Sequence, residues 1–289
     1  MSICVYIDGQ VRDPQRATVS VFDRGFLFGD SVYETVAYQG GHVHFLSEHL
    51  DRLERSARSL YLDPPVRSLV VEAIRATIAA SAEDEARVRV IVTRGVGPVD
   101  IDPATATTPQ LIVIVQPLGA PSAEMIASGI AVEVVNLSRG ASGSLDPAIK
   151  SGNYLSSVLA IAEARHRRPG AGEAILCTGN GGIAEGATSN VFLVQGGVLV
   201  TPGLEAGILE GVTRGKVLGL ARGADIAIRE PGFVAPRELL FADEVFLTSA
   251  VRGILPVTRV DGRPVGDGKP GPVTLQLLAC YRRLISEDT

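Results

Sequence analysis

Only three of the chain's 27 basic residues are lysines: Lys150, Lys216 and Lys269. Arginine stays protonated, so chemistry that needs a neutral amine, such as attack on a carbonyl to form an imine, is confined to these three side chains. Lys269 stands in the turn-like GDGKPGP, and Lys216 in TRGKV beside Arg214 on an expected helix. Lys150 stands in DPAIKSGNYLSS, where no other charge occurs from Ala148 to Ser157 and Asp146 lies four residues back. Apolar residues before it and small uncharged ones after it would desolvate the amine, which favours its neutral, nucleophilic form. On composition alone, a lysine that merely snorkels or caps is the favoured reading.

Two further features add to the lysine. EGVTRGKV puts small and polar residues at an expected helix start, where free backbone N–H groups favour an anion such as a phosphate. AEGATSN supplies an acid, Glu185. An amine, an anion-binding helix start and an acid match the aldehyde, phosphate and ring nitrogen of pyridoxal 5′-phosphate. Rival motifs fail on spacing. TRGKV is no Walker loop, because Glu210 stands six before Lys216 and Val217 replaces Ser/Thr. GNGG lacks the spacing of a dinucleotide fingerprint.

Composition narrows the function classes. A net charge of −5 without a basic block argues against nucleic acid or an anionic membrane as partner. The three cysteines, Cys4, Cys177 and Cys280, are far apart and odd in number, which fits a reducing compartment and no disulfide framework. The four histidines lack a partner set with metal spacing, so no metal is expected. No run of eighteen apolar residues is present, and MSICVYIDGQ does not read as a secretory signal, so a cytoplasmic protein is expected.

At 289 residues the chain is near the length at which one core divides into two. Its periodicities predict an α+β protein, because hairpin signals outnumber βαβ signals. Residues 3 to 7 and 17 to 22 read as strands, and SVYETVAYQGGHVHFL as a hairpin bending at Gly40-Gly41. Ser47 is the expected N-cap of a helix through Leu60, and a second helix follows Pro65. ARVRVIVT and QLIVIVQ are strands. The Pro-, Gly- and Ala-rich stretch 118–124 is the expected linker between a small domain over 1–117 and a large one over 125–289. In the latter, a helix is expected from about Asn153 to Arg167, another after Gly211 and a last one over PVTLQLLACYRRLI, with EAILCT, NVFLV, VLVT, DIAIRE, EVFLT and ILPVTRV as strands.

From DRGFLFGDSVYET to FLTSAVRGILPV, the order of motifs resembles the fold type IV (class IV) pyridoxal-phosphate enzymes, which include branched-chain and D-amino acid aminotransferases and aminodeoxychorismate lyases. The resemblance implies a small N-terminal α/β domain and a larger domain with a β-barrel-like core. It also implies pyridoxal 5′-phosphate as cofactor and a homodimer. EHLDRLERSA is similar to the family's phosphate-gripping helix, which assigns that role to Arg52. IKSGNYLSS is similar to the cofactor-lysine segment, which makes Lys150 the catalytic residue. AEGATSNVFLV implies Glu185 as partner of the pyridine nitrogen, and GVTRGKV implies Val212 and Thr213 at the phosphate. Ala250 stands where many members place a phosphate-binding Thr, which leaves its backbone N–H.

The substrate end departs from the D-amino acid pattern. Val99 and Asp100 stand where that group begins an Arg-x-His carboxylate pair, and Ala37 replaces a base. Arg89, Arg139 and Arg252 are the candidates to hold a substrate carboxylate, with Arg89 first. Tyr33 and Thr35 alternate with Glu34 and share one strand face, so they are expected to meet the substrate. The expected activity is amino transfer between an amino acid, branched-chain or D-, and a 2-oxo acid. The alternatives are a lyase of the aminodeoxychorismate type, which expels pyruvate, and a binding protein that keeps the fold without chemistry. Retention of Lys150 and Glu185 argues against the latter.

Overall fold

The computed structural model describes residues 3–138 and 146–288. Two compact units divide the chain: one runs to Gly119 and takes in Ile149–Asn153 and Asp288, the other takes Ala120–Ala148 and Tyr154–Glu287.

The first unit contains, in chain order, β1 (Cys4–Ile7), β2 (Gln10–Arg12), α1 (Arg24–Phe28), β3 (Ser31–Gln39), β4 (His42–Val43), α2 (Leu46–Ser59), α3 (Arg67–Ser81), β5 (Ala86–Thr93) and β6 (Gln110–Pro117). The strands form one antiparallel sheet in the order β2-β1-β6-β5-β3-β4. Alternation makes its inner face. Val32 and Val36 of β3, Val88, Val90 and Val92 of β5, and Val113 and Val115 of β6 are buried in one cluster. Val70, Ala73, Ile74 and Ile78 recur at helical spacing on α3, and Leu50, Leu53 and Ala57 on α2, so both helices lay an apolar stripe on that face.

Two local expectations fail here. Residues 17–22 form no strand, because β1 already pairs with β2 and β6 and no ladder remains for them. Helix α2 begins before Ser47. Phe45, at φ 53°, is the N-cap, and its carbonyl accepts from the His49 N–H at 3.2 Å. Ser47 lies inside the first turn, where its Oγ accepts from Arg67 Nη2 at 3.1 Å.

The second unit contains α4 (Ala123–Ser128), β7 (Ile130–Ser138), α5 (Leu155–Arg167), β8 (Glu173–Cys177), β9 (Ile183–Gly186), β10 (Asn190–Gln195), β11 (Val198–Val200), α6 (Val212–Gly223), β12 (Ile228–Arg229), α7 (Pro236–Leu240), β13 (Glu244–Ser249), β14 (Gly253–Val260), β15 (Arg263–Pro264) and α8 (Pro272–Glu287). Its strands run in the order β12-β11-β10-β13-β14-β7-β8-β9, with β15 added to β14. The barrel-like core is an open, curled half-barrel. Val191, Leu193, Val245, Leu247 and Val257 fill one face of it, and α6 and α8 pack against β13 on the other. The expected strand DIAIRE shrinks to Ile228–Arg229, since only two of its residues find register with β11.

Candidate active site

Lys150 sits where it does because the segment 149–153 is stitched to β3. The Tyr33 N–H donates to the Lys150 carbonyl at 3.0 Å, the Gly152 N–H donates to the Ser31 carbonyl at 2.8 Å, and Val32 bridges Ser151. Ile149 enters the apolar cluster of the first unit. The Lys150 N–H donates to Ser56 Oγ on α2 at 3.1 Å. The small residues after Lys150 are needed for this fit, because a Cβ at Gly152 would overlap Ser31 Oγ. The lysine backbone is thereby fixed on a sheet and a helix, and the side chain projects from a rigid base. Its Nζ lies 4.6 Å from the centroid of the Tyr33 ring.

Tyr33, Thr35 and Arg89 share one sheet face, because Thr35 pairs directly with Arg89 and Tyr33 with Ile91. The Arg89 guanidinium carbon stacks 3.9 Å from the Tyr33 ring centroid. The Tyr33 ring therefore faces two cations, Lys150 and Arg89, and is itself buried. Arg87, on the same face, turns its Nη2 to the Leu118 carbonyl at 3.4 Å. The proximity of Arg87 and Arg89 is thus relieved by separate partners, one a carbonyl and one an aromatic ring.

Arg52 is on the inner side of α2, and it is buried against Glu34. Its Nε donates to Glu34 Oε1 at 2.6 Å and its Nη2 to Oε2 at 2.8 Å, while His49 Nδ1 meets the same Oε2 at 2.7 Å. All three residues are at most 5% exposed. Burial on its own would raise the Glu34 carboxyl; the Arg52 charge and the hydrogen bonds from Arg52 and His49 outweigh it and bring the pKa from 4.5 to about 2. The unfolded chain takes up this proton near the ordinary value and the folded chain only near 2. Stability from the pair is therefore complete above about pH 4.5 and lost as pH falls through that window, a contribution of about 3 kcal/mol. Unfolding by urea at pH 3 and pH 7 should show a smaller pH dependence in Glu34→Gln than in the parent chain. Parallel losses in the two proteins would contradict the charge pairing.

Glu185 lies near the end of β9 in the second unit and is 2% exposed. Asn190 Nδ2 donates to its Oε2 at 3.1 Å, and the Leu209 N–H lies 3.3 and 3.2 Å from its two oxygens. Asn190 also donates to the Leu209 carbonyl at 2.9 Å, so a single side chain ties the acid to the residues before α6. That helix starts after Gly211 without a side-chain cap and without an acid in its first turn. A Cβ at Gly211 would overlap Asn190 Oδ1, which explains the glycine. Val212 and Thr213 open the helix, and Thr213 is buried. Ala250 lies half-buried in the turn between β13 and β14.

The other carboxylate candidates differ in placement. Arg252 Nη2 donates to the buried Glu173 at 2.6 Å and to Thr188 Oγ1 at 2.8 Å, so that guanidinium fastens the turn after Glu185. Arg139 lies outside the described residues. Sequence reasoning gave no site role to Asn190, Ser56, Glu34 or His49. His49, Arg52 and Ser56 do stand at helical spacing of three and four, a polar stripe beside the apolar one that could have been read as inward-facing.

The residues fit pyridoxal 5′-phosphate. Glu185 is a buried carboxylate oriented by neutral donors, suited to a protonated ring nitrogen, and the uncapped start of α6 has the donors and positive dipole end that a phosphate requires. A lysine on a rigid base in the first unit, and an oriented buried acid and an uncapped helix start in the second, are the kinds of group that pyridoxal-phosphate chemistry uses. Comparison with known proteins agrees. The model of the family "Amino-transferase class IV" matches residues 31–260. A putative branched-chain-amino-acid aminotransferase of Methanocaldococcus jannaschii is 37% identical over 274 residues, 94% of this chain and 93% of that protein. A D-alanine aminotransferase of Staphylococcus haemolyticus is 33% identical over 284 residues, 97% of each. The crystal structure of the Escherichia coli branched-chain amino acid aminotransferase superposes with a TM-score of 0.91 at 33% identity, covering 99% of this chain and 95% of that one. A second branched-chain amino acid aminotransferase, crystallised with pyridoxamine 5′-phosphate, gives 0.90 at 26% identity, covering 99% and 94%. The chain belongs to the class IV aminotransferase family. These matches favour amino transfer over the lyase alternative.

Proposed function

We propose that this chain is a pyridoxal-phosphate aminotransferase that moves an amino group between a branched-chain amino acid and a 2-oxo acid. The cofactor supplies an electron sink for the charge that develops at the substrate's Cα. The chain's residues do the rest. Lys150 Nζ would hold the cofactor through its aldehyde and, once freed by the amino substrate, would take the proton from Cα and carry it to the cofactor side. Glu185 keeps the ring nitrogen protonated. For the phosphate, Arg52 of the first unit would offer its guanidinium, and in the second unit Val212 and Thr213 would offer N–H groups and a hydroxyl and Ala250 its N–H. Tyr33 and Thr35 line the substrate side, and Arg89 meets its carboxylate.

The observation that carries this reading is the fixed Lys150 backbone with its amine over Tyr33. For the substrate, Val99 and Asp100 stand where the Arg-x-His pair would begin, and Ala37 adds no base of its own beside Tyr33 and Thr35, which supports an apolar side chain. The reading is tested by a donor panel of L- and D-amino acids with 2-oxoglutarate or pyruvate. Turnover of L-valine, L-leucine and L-isoleucine above D-alanine supports it, and a preference for D-donors would favour the D-amino acid alternative.

Arg89→Lys tests the carboxylate role. A stacked, bidentate guanidinium is not replaced by an ammonium. KM for amino acids should rise about 10- to 100-fold, the loss of one charge-assisted interaction, while carboxylate-free amines such as 1-phenylethylamine are spared. Equal losses on both classes would make Arg89 a structural residue.

Assembly and location extend the same reading. In the first unit, Phe22, Phe26, Val96, Val99 and Ile101 are half exposed or more, and the backbone pairs Asp23 with Val96 and Gly97 with Phe22. An apolar surface of this kind supports the homodimer, to be checked by light scattering. A cytoplasmic setting rests on the reducing-compartment cysteines; among the described residues no helix is long and apolar enough to cross a membrane.

A further inference from the structure

A buried ion pair costs much of what it contributes, and an apolar pair of similar volume often serves stability as well. The trio Glu34, His49 and Arg52 is therefore an expensive way to fill the space under α2. It is also over-determined. Two N–H groups along one edge of the Arg52 guanidinium end on the two oxygens of Glu34, and one of those oxygens is held again by His49. A planar guanidinium bound through two nitrogens cannot rotate, so the direction of its other N–H bonds is set. Glu34 projects from β3 one residue after Tyr33, whose N–H holds the Lys150 carbonyl. Arg52 projects from α2 one turn before Ser56, which holds the Lys150 N–H.

We propose that Glu34, held by His49, is a positioning residue that aims the Arg52 guanidinium at a phosphate. The proposal rests on the reading that Arg52 holds the cofactor's phosphate. Its physical content is that direction outweighs charge at this point. Glu34 cancels the charge of Arg52, so a phosphate arriving here gains oriented donors more than net attraction. The two effects predict opposite signs on removal of the carboxylate. If charge dominated, Glu34→Gln would free a full positive charge and tighten phosphate binding. If orientation dominates, the same change lets the guanidinium swing and weakens it.

The test measures the affinity of the full chain for pyridoxal 5′-phosphate and, separately, for phosphate-free pyridoxal, by absorbance titration after cofactor removal. Glu34→Gln should weaken the phosphorylated form about 10- to 100-fold, as loss of a charge-assisted hydrogen bond does, and leave pyridoxal within about twofold. His49→Gln should give a smaller loss, about three- to tenfold, with the same selectivity, and carries the test alone if Glu34→Gln does not fold. Tighter or unchanged binding of pyridoxal 5′-phosphate, or equal losses for the two ligands, would overturn the proposal. Arg52→Met separates this from the reading beneath it. If Arg52→Met keeps the parent's preference for the phosphorylated form, then Arg52 does not hold the phosphate, and it is that reading which fails.

Discussion

Lys150→Ala should lose transamination by at least about 1000-fold while keeping its fold. The expected fold retention follows from how the residue is held. Its N–H, its carbonyl and the flanking Gly152 and Ile149 make the contacts that seat the segment, and none of these uses the lysine side chain. What the variant removes is the amine over Tyr33. Lys150→Arg should fail as badly, since a guanidinium stays protonated and cannot act as a neutral nucleophile or take the proton from Cα. Steady-state rates and circular dichroism on both variants check this. A Lys150→Arg protein with more than about a tenth of parental turnover would remove Lys150 from the chemistry, because general acid–base groups are worth about 100-fold or more.

The second large effect belongs to Glu185. Glu185→Ala should lower kcat about 100- to 1000-fold, comparable to removing one preorganised charge from a site where charge develops. The cost has two parts. The ring nitrogen loses the carboxylate that keeps its proton, and Asn190 Nδ2 and the Leu209 N–H lose a buried acceptor. Glu185→Gln keeps a carbonyl oxygen for one of those donors and its volume, so its cofactor retention should stay near the parent's while its kcat falls. Rates with a fixed donor, paired with cofactor retention through gel filtration, separate the two parts. If Glu185→Gln kept parental kcat, ring protonation would have to come from another group.

The residues proposed to carry the chemistry could be named from the sequence because their types are scarce and their neighbours unusual. Three lysines in a chain rich in arginine, with one of them lacking charged company, reduce the search to Lys150 before any fold is known. The sheet of the first unit was legible for a similar reason: ARVRVIVT alternates strictly, and the structure buries its alternate residues. What could not be read was the pairing of polar side chains distant in sequence. Glu34 and Arg52 are eighteen residues apart and meet only because α2 lies across β3. Asn190 reads as a loop residue beside a strand until Leu209 and Glu185 converge on it. Arg252 illustrates the converse. As a candidate for a substrate carboxylate it has the right chemistry, but Glu173, 79 residues away, is its partner in the structure. Helix starts are a smaller case: Ser47 has the better capping side chain, but the backbone at Phe45 turns into the helix first.

Reduction with borohydride is the most direct test of the central claim, that Lys150 is the amine that carries the cofactor. The purified, yellow protein is reduced, digested and mapped by mass spectrometry. The label is expected on the peptide that contains Ile149-Lys150-Ser151 and on no other. A label on Lys216, half-buried on α6, or on Lys269 in the loop before α8 would contradict the assignment, and the roles of Glu185 and Arg52 would fall with it.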